Sequence, residues 1–327
     1  MEKVTSNKFK IDIKFLNLLM EFKTWWHFTM TELFKLDGLV RAVVLHRPSK
    51  VSKTPYVADI HLVDENGNCQ KNEDGENIIY QAHCPSLGCC GLCEVGSVVF
   101  VGPVEEKKGK NGKSLKNKRV CQFIVYLSLL EEKEKHHKEI IGIHPKLAER
   151  IVECCLEKDV LTNFSAIQYK REVTLENSNS RFDFAGTTCN RNPFVLEVKN
   201  VPLADYADCS AKERKKMDFS ERVCNEKISY FPDGYRKKKN DVVSPRALKH
   251  IQELKKIGNT TFNEPYMCYV IQRTDSNCFQ TSVMDPIYKE AVRDAVENGE
   301  VEIIVVGVKW TEDGRCLFHR DDYVVNL

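Results

Sequence analysis

No apolar run in this chain reaches the roughly 20 residues of a transmembrane helix, so a membrane-spanning helix is not expected. Charge of one sign is also missing: the formal net charge is only +2, and any electrostatic preference has to come from local clusters. No secretion signal stands ahead of the fourteen cysteines, which lie mostly inside apolar runs. Free, buried thiols in a reducing compartment are therefore expected, with a cytoplasmic or nuclear protein rather than a secreted one. A second C-x-x-C is absent. His83-Cys84-Pro85 and Cys89-Cys90-Gly91-Leu92-Cys93 offer one half of a zinc site, whereas structural zinc sites normally show both, so a tight glycine-containing loop is the expectation. Arginine is absent before Arg41, and Glu2, Asp12 and Glu21 are acidic, which argues against a transit peptide. The apolar patch FLNLLMEFKTWWHFTM in residues 1–36 reads either as an amphipathic helix packed on the body or as an upstream extension, with Met30 an alternative start.

What is present is ordinary globular composition, 42% apolar and 29% charged over 327 residues, a length that suggests two domains. Residues 37–130 read as short strands rich in Val, Ile, Tyr and Phe: GLVRAVVLH, YVADIHLV, NIIYQAH, GSVVFVG and CQFIVYLSLL. Turn signals such as Glu65-Asn66-Gly67-Asn68 and Glu73-Asp74-Gly75 separate them. The pattern fits an all-β OB-like barrel, and an SH3-like barrel would look nearly the same. Within it, Val104 to Arg119 carries seven Lys/Arg against two Glu, either a solvated loop or a wing that contacts phosphates.

Residues 131–144, beginning EEKEKHHK, read as a charged connector to a second domain at 145–327. There the expected order is helix, three strands, helix, strand, helix, strand: an α/β domain with a mixed sheet. Leu147, Ala148, Ile151, Val152 and Cys155 recur at helical spacing. Three alternating segments follow, IQYKREVTL, RFDFA and FVLEVKN. Side chains alternate along a strand, so Phe182 and Phe184 are expected on one face with Asp183 on the other. Glu197 and Lys199 share a face, opposite Leu196 and Val198. Neighbouring strands would bring Asp183, Glu197 and Lys199 to one point. Two carboxylates suit a hard divalent cation, Mg2+ or Mn2+, and an adjacent lysine can steady a charged transition state, as metal-dependent phosphodiester hydrolysis requires. Glu172 lies on the polar face of the first strand. An irregular charged insertion at about 205–230 precedes a basic run that includes Lys237, Lys238 and Lys239. Ser244 and Pro245 open the next helix and Gly258 is expected just past it, while Asp285-Pro286 opens the last. Basic clusters around an acidic centre would attract a polyanion.

Several short motifs, in order between Gly38 and Val308, resemble the sugar fermentation stimulation protein family (SfsA-like). They are His83-Cys84-Pro85-Ser86-Leu87-Gly88, Glu172-Val173, Ser180-Arg181-Phe182-Asp183-Phe184, Glu197-Val198-Lys199, Tyr230-Phe231-Pro232-Asp233, Arg246 with Lys249-His250, and Asp285 with Tyr288. The resemblance implies an OB-like domain followed by a PD-(D/E)xK, restriction-endonuclease-like domain. It places Asp183, Glu197 and Lys199 at the superfamily's signature positions, Phe182 standing in for its proline, with Glu172 a further acid. Asp183 and Glu197 are the expected metal ligands. Arg181, Arg246, Lys249, His250 and Lys237–Lys239 are the expected contacts to nucleic acid. The implied partner is nucleic acid, DNA favoured over RNA, with a homo-oligomer left open. The implied use of the site is nuclease-type cleavage or, on the same fold, DNA binding without turnover; RNA processing is the third reading. The stretch between Lys199 and Tyr230 is longer than the family pattern.

Overall fold

Apolar residues at alternate positions make most of the strands. The structure is a computed structural model that describes residues 30–86, 89–104, 121–176, 178, 180–232, 241–260 and 262–327, apart from the side chains of Cys90 and Thr260. No helix among the described residues is long and apolar enough to cross a membrane. The first strand, β1 (Glu32–Lys35), buries Leu33 and Phe34 and pairs with a late strand of the second domain. Residues 32–35, expected in an unassigned extension, therefore belong to the body.

β2 (Val40–His46), β3 (Val57–Leu62), β4 (Tyr80–His83), β5 (Val98–Pro103) and β6 (Phe123–Glu132) form a barrel in the order β4-β3-β2-β5-β6. It closes through a parallel pairing of β4 with β6, Ala82 opposite Phe123 and His83 opposite Ile124. That five-stranded closure is OB-like and resolves the two barrels the strand pattern left open. Small residues, Ala42, Ala58 and Ala82, fill the narrow interior with Val44, Ile60, Val99 and Val125. Cys84, Cys89 and Cys93 are buried in the same core as free thiols, with Cys84 Sγ 3.6 Å from Cys93 Sγ. Residues 105–120, which join β5 to β6 and hold most of the lysine-rich stretch, lie outside the described residues.

The charged stretch after the barrel is not a linker. β6 runs through Glu132, turns over Lys133–Lys135 and returns as β7 (His137–Gly142), paired from Glu132↔His137 to Leu127↔Gly142. Its charges are matched by sequence-distant partners. Glu132 pairs with Lys227, Lys135 Nζ donates to Tyr206 Oη (3.1 Å) and Phe219 O (2.8 Å), and Glu139 accepts from Thr274 N (2.7 Å). The 205–230 stretch is thereby anchored by side chains of the hairpin.

The second domain holds α1 (Lys146–Lys158), β8 (Ala166–Thr174), β9 (Arg181–Thr188), β10 (Pro193–Val201), β11 (Ala204–Asp205), β12 (Lys227–Phe231), α2 (Pro245–Thr260), β13 (Glu264–Ile271), β14 (Ser276–Thr281), α3 (Pro286–Glu297), β15 (Glu302–Trp310), β16 (Arg315–Arg320) and β17 (Val324–Asn326). The main sheet has the order β1-β16-β15-β13-β10-β9-β8, with β10, β13 and β15 parallel and the rest antiparallel. A smaller sheet, β11-β12-β14-β17, joins it. One face of the main sheet, with Phe194, Leu196 and Val198, packs on Leu147, Ala148, Ile151 and Val152 of α1 and on Leu127 and Leu129 of the barrel. Barrel and sheet domain thus share a core. The other face, with Val195, Met267 and Tyr269, packs on Ala247, Ile251 and Leu254 of α2 and on Tyr288 and Val292 of α3.

Helix punctuation follows the expected chemistry with one correction. Ser244 caps α2, its Oγ accepting from Ala247 N at 3.4 Å, and Asp285 Oδ1 accepts from Tyr288 N at the start of α3. Gly258, however, lies inside α2 rather than past it. A Cβ there would stand 2.2 Å from Glu300 O, so the glycine permits close packing of the helix.

Candidate active site

The central feature is where β9 and β10 part. They pair from Pro193↔Thr187 to Leu196↔Phe184, and there the register stops. Val198 N–H, left without a partner on β9, donates instead to Asp183 Oδ2 at 2.7 Å. The parting also changes the expected facing of β9: Phe184 joins the core under α1, whereas Phe182 joins the core under α2 and α3. The two phenylalanines do not share a face, and Asp183 stands between two cores. On β10 the alternation holds as expected, with Leu196 and Val198 on the α1 side and Glu197 and Lys199 opposite.

Asp183, Glu197 and Lys199 line one cavity of about 210 Å³, with Pro145 just before α1, Ala148 and Glu149 from α1, Phe231 from β12, the α2 cap Ser244, and Arg246 and Ala247 from α2. Asp285 Oδ2 accepts from Val243 N at 2.7 Å and so ties the approach to α2 onto the start of α3. Glu197 is 3% exposed and Lys199 9%. Both Lys199 Nζ and His250 Nδ1 contact Glu197 Oε1, and they stand 3.2 Å from each other. Glu197 Oε2 is buried and has no hydrogen-bond partner.

The two acids titrate in opposite directions. Burial opposes charge on Glu197, but the His250 hydrogen bond and the Lys199 charge outweigh it and hold this carboxyl below its ordinary value. Burial, followed by the charge of Glu197, pushes Asp183 up to about 7 despite the Val198 N–H. A buried carboxylate oxygen without a partner, beside a second acid that resists ionisation, is an arrangement that a cation would relieve. Among the described residues no group of three His, Cys, Asp or Glu side chains is placed to hold a metal unaided. Mg2+ suits that limit, since it commonly takes one or two carboxylates and completes its shell with water and phosphate oxygens.

The other expected residues are placed unevenly. Arg246 lines the cavity, and Lys249 is exposed on the same helix. His250, expected to contact phosphate, is buried and faces Glu197 instead, because α2 presents it on the helix face that packs against β10. Glu172, expected to join the acids, is exposed, has a left-handed backbone (φ +51°), and pairs with Arg181 at 3.3 Å. Neither Glu172 nor Arg181 lines the cavity. Lys237, Lys238 and Lys239 lie outside the described residues. Glu149 escaped the sequence reading altogether. It faces the cavity because Pro145, Ala148 and Glu149 share one side of α1, and Arg171 Nη2 holds it at 3.3 Å. Its only sequence signal was a charge next to the apolar stripe of α1.

An OB-like barrel joined to a restriction-endonuclease-like α/β domain, with two acids and a lysine where the central strands part, defines the class. A family profile described as "Sugar fermentation stimulation protein RE domain" matches residues 146–212 and 213–314. A sugar fermentation stimulation protein homolog from Alteromonas mediterranea is 30% identical over 269 residues, spanning 80% of this chain and 87% of that protein. Another, from Rippkaea orientalis, is 26% identical over 242 residues, spanning 72% and 81%. The chain belongs to the sugar fermentation stimulation protein family. The structure of Pyrococcus furiosus SfsA in complex with Ca2+ shares the fold, with a TM-score of 0.62 at 18% identity, covering 91% of this chain and all of that one.

Proposed function

We propose that this protein binds nucleic acid and carries a divalent-metal-dependent phosphodiesterase site. The observation that carries the reading is the buried, unpartnered Glu197 Oε2 beside Asp183 and Lys199 in a single cavity. Asp183 and Glu197, with the carbonyl of Val198, would hold Mg2+ or Mn2+. The Pyrococcus relative was solved with Ca2+, another hard oxygen-seeking cation, which supports that choice. Once bound, the cation would acidify water and neutralise charge on the scissile phosphate. Lys199 is placed to orient the attacking water or to stabilise the charge that builds on phosphorus. Arg246, at the cavity wall near the start of α2, would hold a phosphate oxygen. Glu172 and Arg181 stand outside the cavity, so we give them a peripheral role rather than a catalytic one.

A second reading, nucleic-acid binding without turnover, draws on one observation. Glu197 Oε1 is already matched by Lys199 and His250, so the glutamate is balanced in part without a cation. One assay separates the two. The protein is incubated with end-labelled single-stranded and duplex DNA and RNA in Mg2+, Mn2+ or EDTA, beside Asp183→Ala and Lys199→Ala. Cleavage that needs the cation and disappears in both variants supports the enzyme. Binding without cleavage by the wild type, on all four substrates and with either cation, supports the binding module and refutes the enzyme. The four substrates also decide between DNA and RNA, since phosphate contacts alone carry no such preference.

A further inference from the structure

Glu197 has two oxygens in different surroundings, and His250 is what makes them differ. Nδ1 of His250 and Nζ of Lys199 both reach Oε1, while Oε2 keeps no partner. An ionised carboxylate only accepts hydrogen bonds, so the ring nitrogen facing it has to carry the proton. The 3.2 Å approach of Nδ1 to Nζ then sets two donors side by side, each directed at Oε1. Lysine alone would not fix the carboxylate in this way. Its ammonium sits on a flexible four-carbon stem, whereas the imidazole is rigid and is held by the packing of α2. Ala247, Ile251 and Leu254, which flank His250 on that helix, are buried against the sheet. The ring therefore reaches Oε1 from a backbone that cannot shift freely.

We propose that His250 is a positioning residue for the cation site: by occupying Glu197 Oε1 it commits Oε2 to the metal. The inference rests on the metal-site reading above and adds a residue that does not itself touch the cation or the substrate. Loss of the ring would let Glu197 rotate and would give Lys199 a second oxygen to pair with. Both changes reduce the oxygen available to a cation. Partners that orient metal ligands typically account for roughly 10- to 100-fold in metal affinity.

The test measures Mn2+ binding by calorimetry and by the loss of the free-ion electron paramagnetic resonance signal. It uses the full chain as wild type, His250→Ala and His250→Asn, with circular dichroism and melting temperature recorded for each. Asparagine keeps an N–H close to the position of Nδ1 and so separates hydrogen bonding from ring packing. The expected result is Mn2+ affinity weakened roughly 10- to 100-fold in His250→Ala and largely restored in His250→Asn. Equal affinity in wild type and a folded His250→Ala would overturn the inference. Equal weakening in both variants would overturn it too, by assigning the effect to packing. Failure of the wild type to bind Mn2+ would remove the metal reading itself, and the positioning role with it.

Discussion

Asp275 and Glu197 are both buried carboxylates held by two nitrogen-bearing side chains, but their oxygens are used differently. Asp275 Oδ1 accepts from Arg273 Nε (2.5 Å), and Oδ2 accepts from Arg273 Nη2 (2.7 Å) and Lys227 Nζ (2.6 Å). Glu197 receives both of its donors on Oε1 and leaves Oε2 alone. Burial works against the charge of Asp275, yet Arg273 and Lys227 draw its pKa down to about 2. Near Glu197, by contrast, Asp183 is pushed up to about 7. A buried charge whose partners are complete acts as structure, here joining β12, the β13–β14 turn and the barrel hairpin. Glu197, whose partners are incomplete and which shares a cavity with a second acid, is the one assigned to the proposed cation site. Composition alone does not tell the two apart, since both clusters mix acids with lysine.

The largest effect should come from breaking the complete cluster. Asp275→Ala leaves the buried Arg273 with only Pro202 O to donate to and Lys227 with only Glu132, and is expected to cost about 3–5 kcal/mol, read by urea denaturation. Metal-free Asp183→Asn is expected instead to leave stability unchanged or to raise it, because it removes an acid whose charge burial opposes first and Glu197 second. A large loss in that variant would erase the distinction between the clusters.

Their pH dependences should run in opposite directions, followed in EDTA against each asparagine variant. The folded pKa of Asp275 is depressed, so its stabilisation is complete above about pH 4 and is lost as pH falls toward 2. The folded pKa of Asp183 is raised, so its cost is absent below about pH 4, grows as pH rises from 4 toward 7 and is complete above about 7. Equal slopes would contradict the assignment of one cluster to structure and the other to a site.

A smaller effect is expected where the barrel meets the sheet. Gly142 N–H donates to Gln272 O, and a Cβ at 142 would stand 1.9 Å from Gln272 Oε1 and 2.6 Å from Trp310 Nε1. Gln272 in turn donates to Asn200 Oδ1, next to Lys199 in sequence. Gly142→Ala should cost about 1–3 kcal/mol of stability by overpacking, measured by thermal unfolding, and should lower activity with it. The mildest change is Arg246→Ala. It should leave stability within about 0.5 kcal/mol while weakening nucleic-acid binding and reducing the salt slope by about one.

Much of this was legible in the residues, for identifiable reasons. Alternation along FVLEVKN placed Glu197 and Lys199 on the correct side of β10, and Ser244 and Asp285 marked helix starts by their capping chemistry. The barrel followed from turn signals and strand content, but its type needed the parallel β4–β6 closure, a pairing distant in sequence. The face of Phe182 was misread because alternation assumes continuous pairing, and β9 leaves β10 at the site. EEKEKHHK reads as a charged connector because its partners, Lys227 and Tyr206, lie far along the chain. The same distance hid Glu149, and it made His250 read as a surface base when α2 turns it toward Glu197. Local pattern reports the backbone well; it does not report which charges meet.

The most direct test of the central claim is an anomalous scattering map from crystals soaked in Mn2+. The account predicts one peak in the cavity, bonded to Glu197 Oε2 and an oxygen of Asp183 and absent from Glu197→Gln crystals. A soaked crystal with no peak there, or with a peak that persists unchanged in Glu197→Gln, would contradict it.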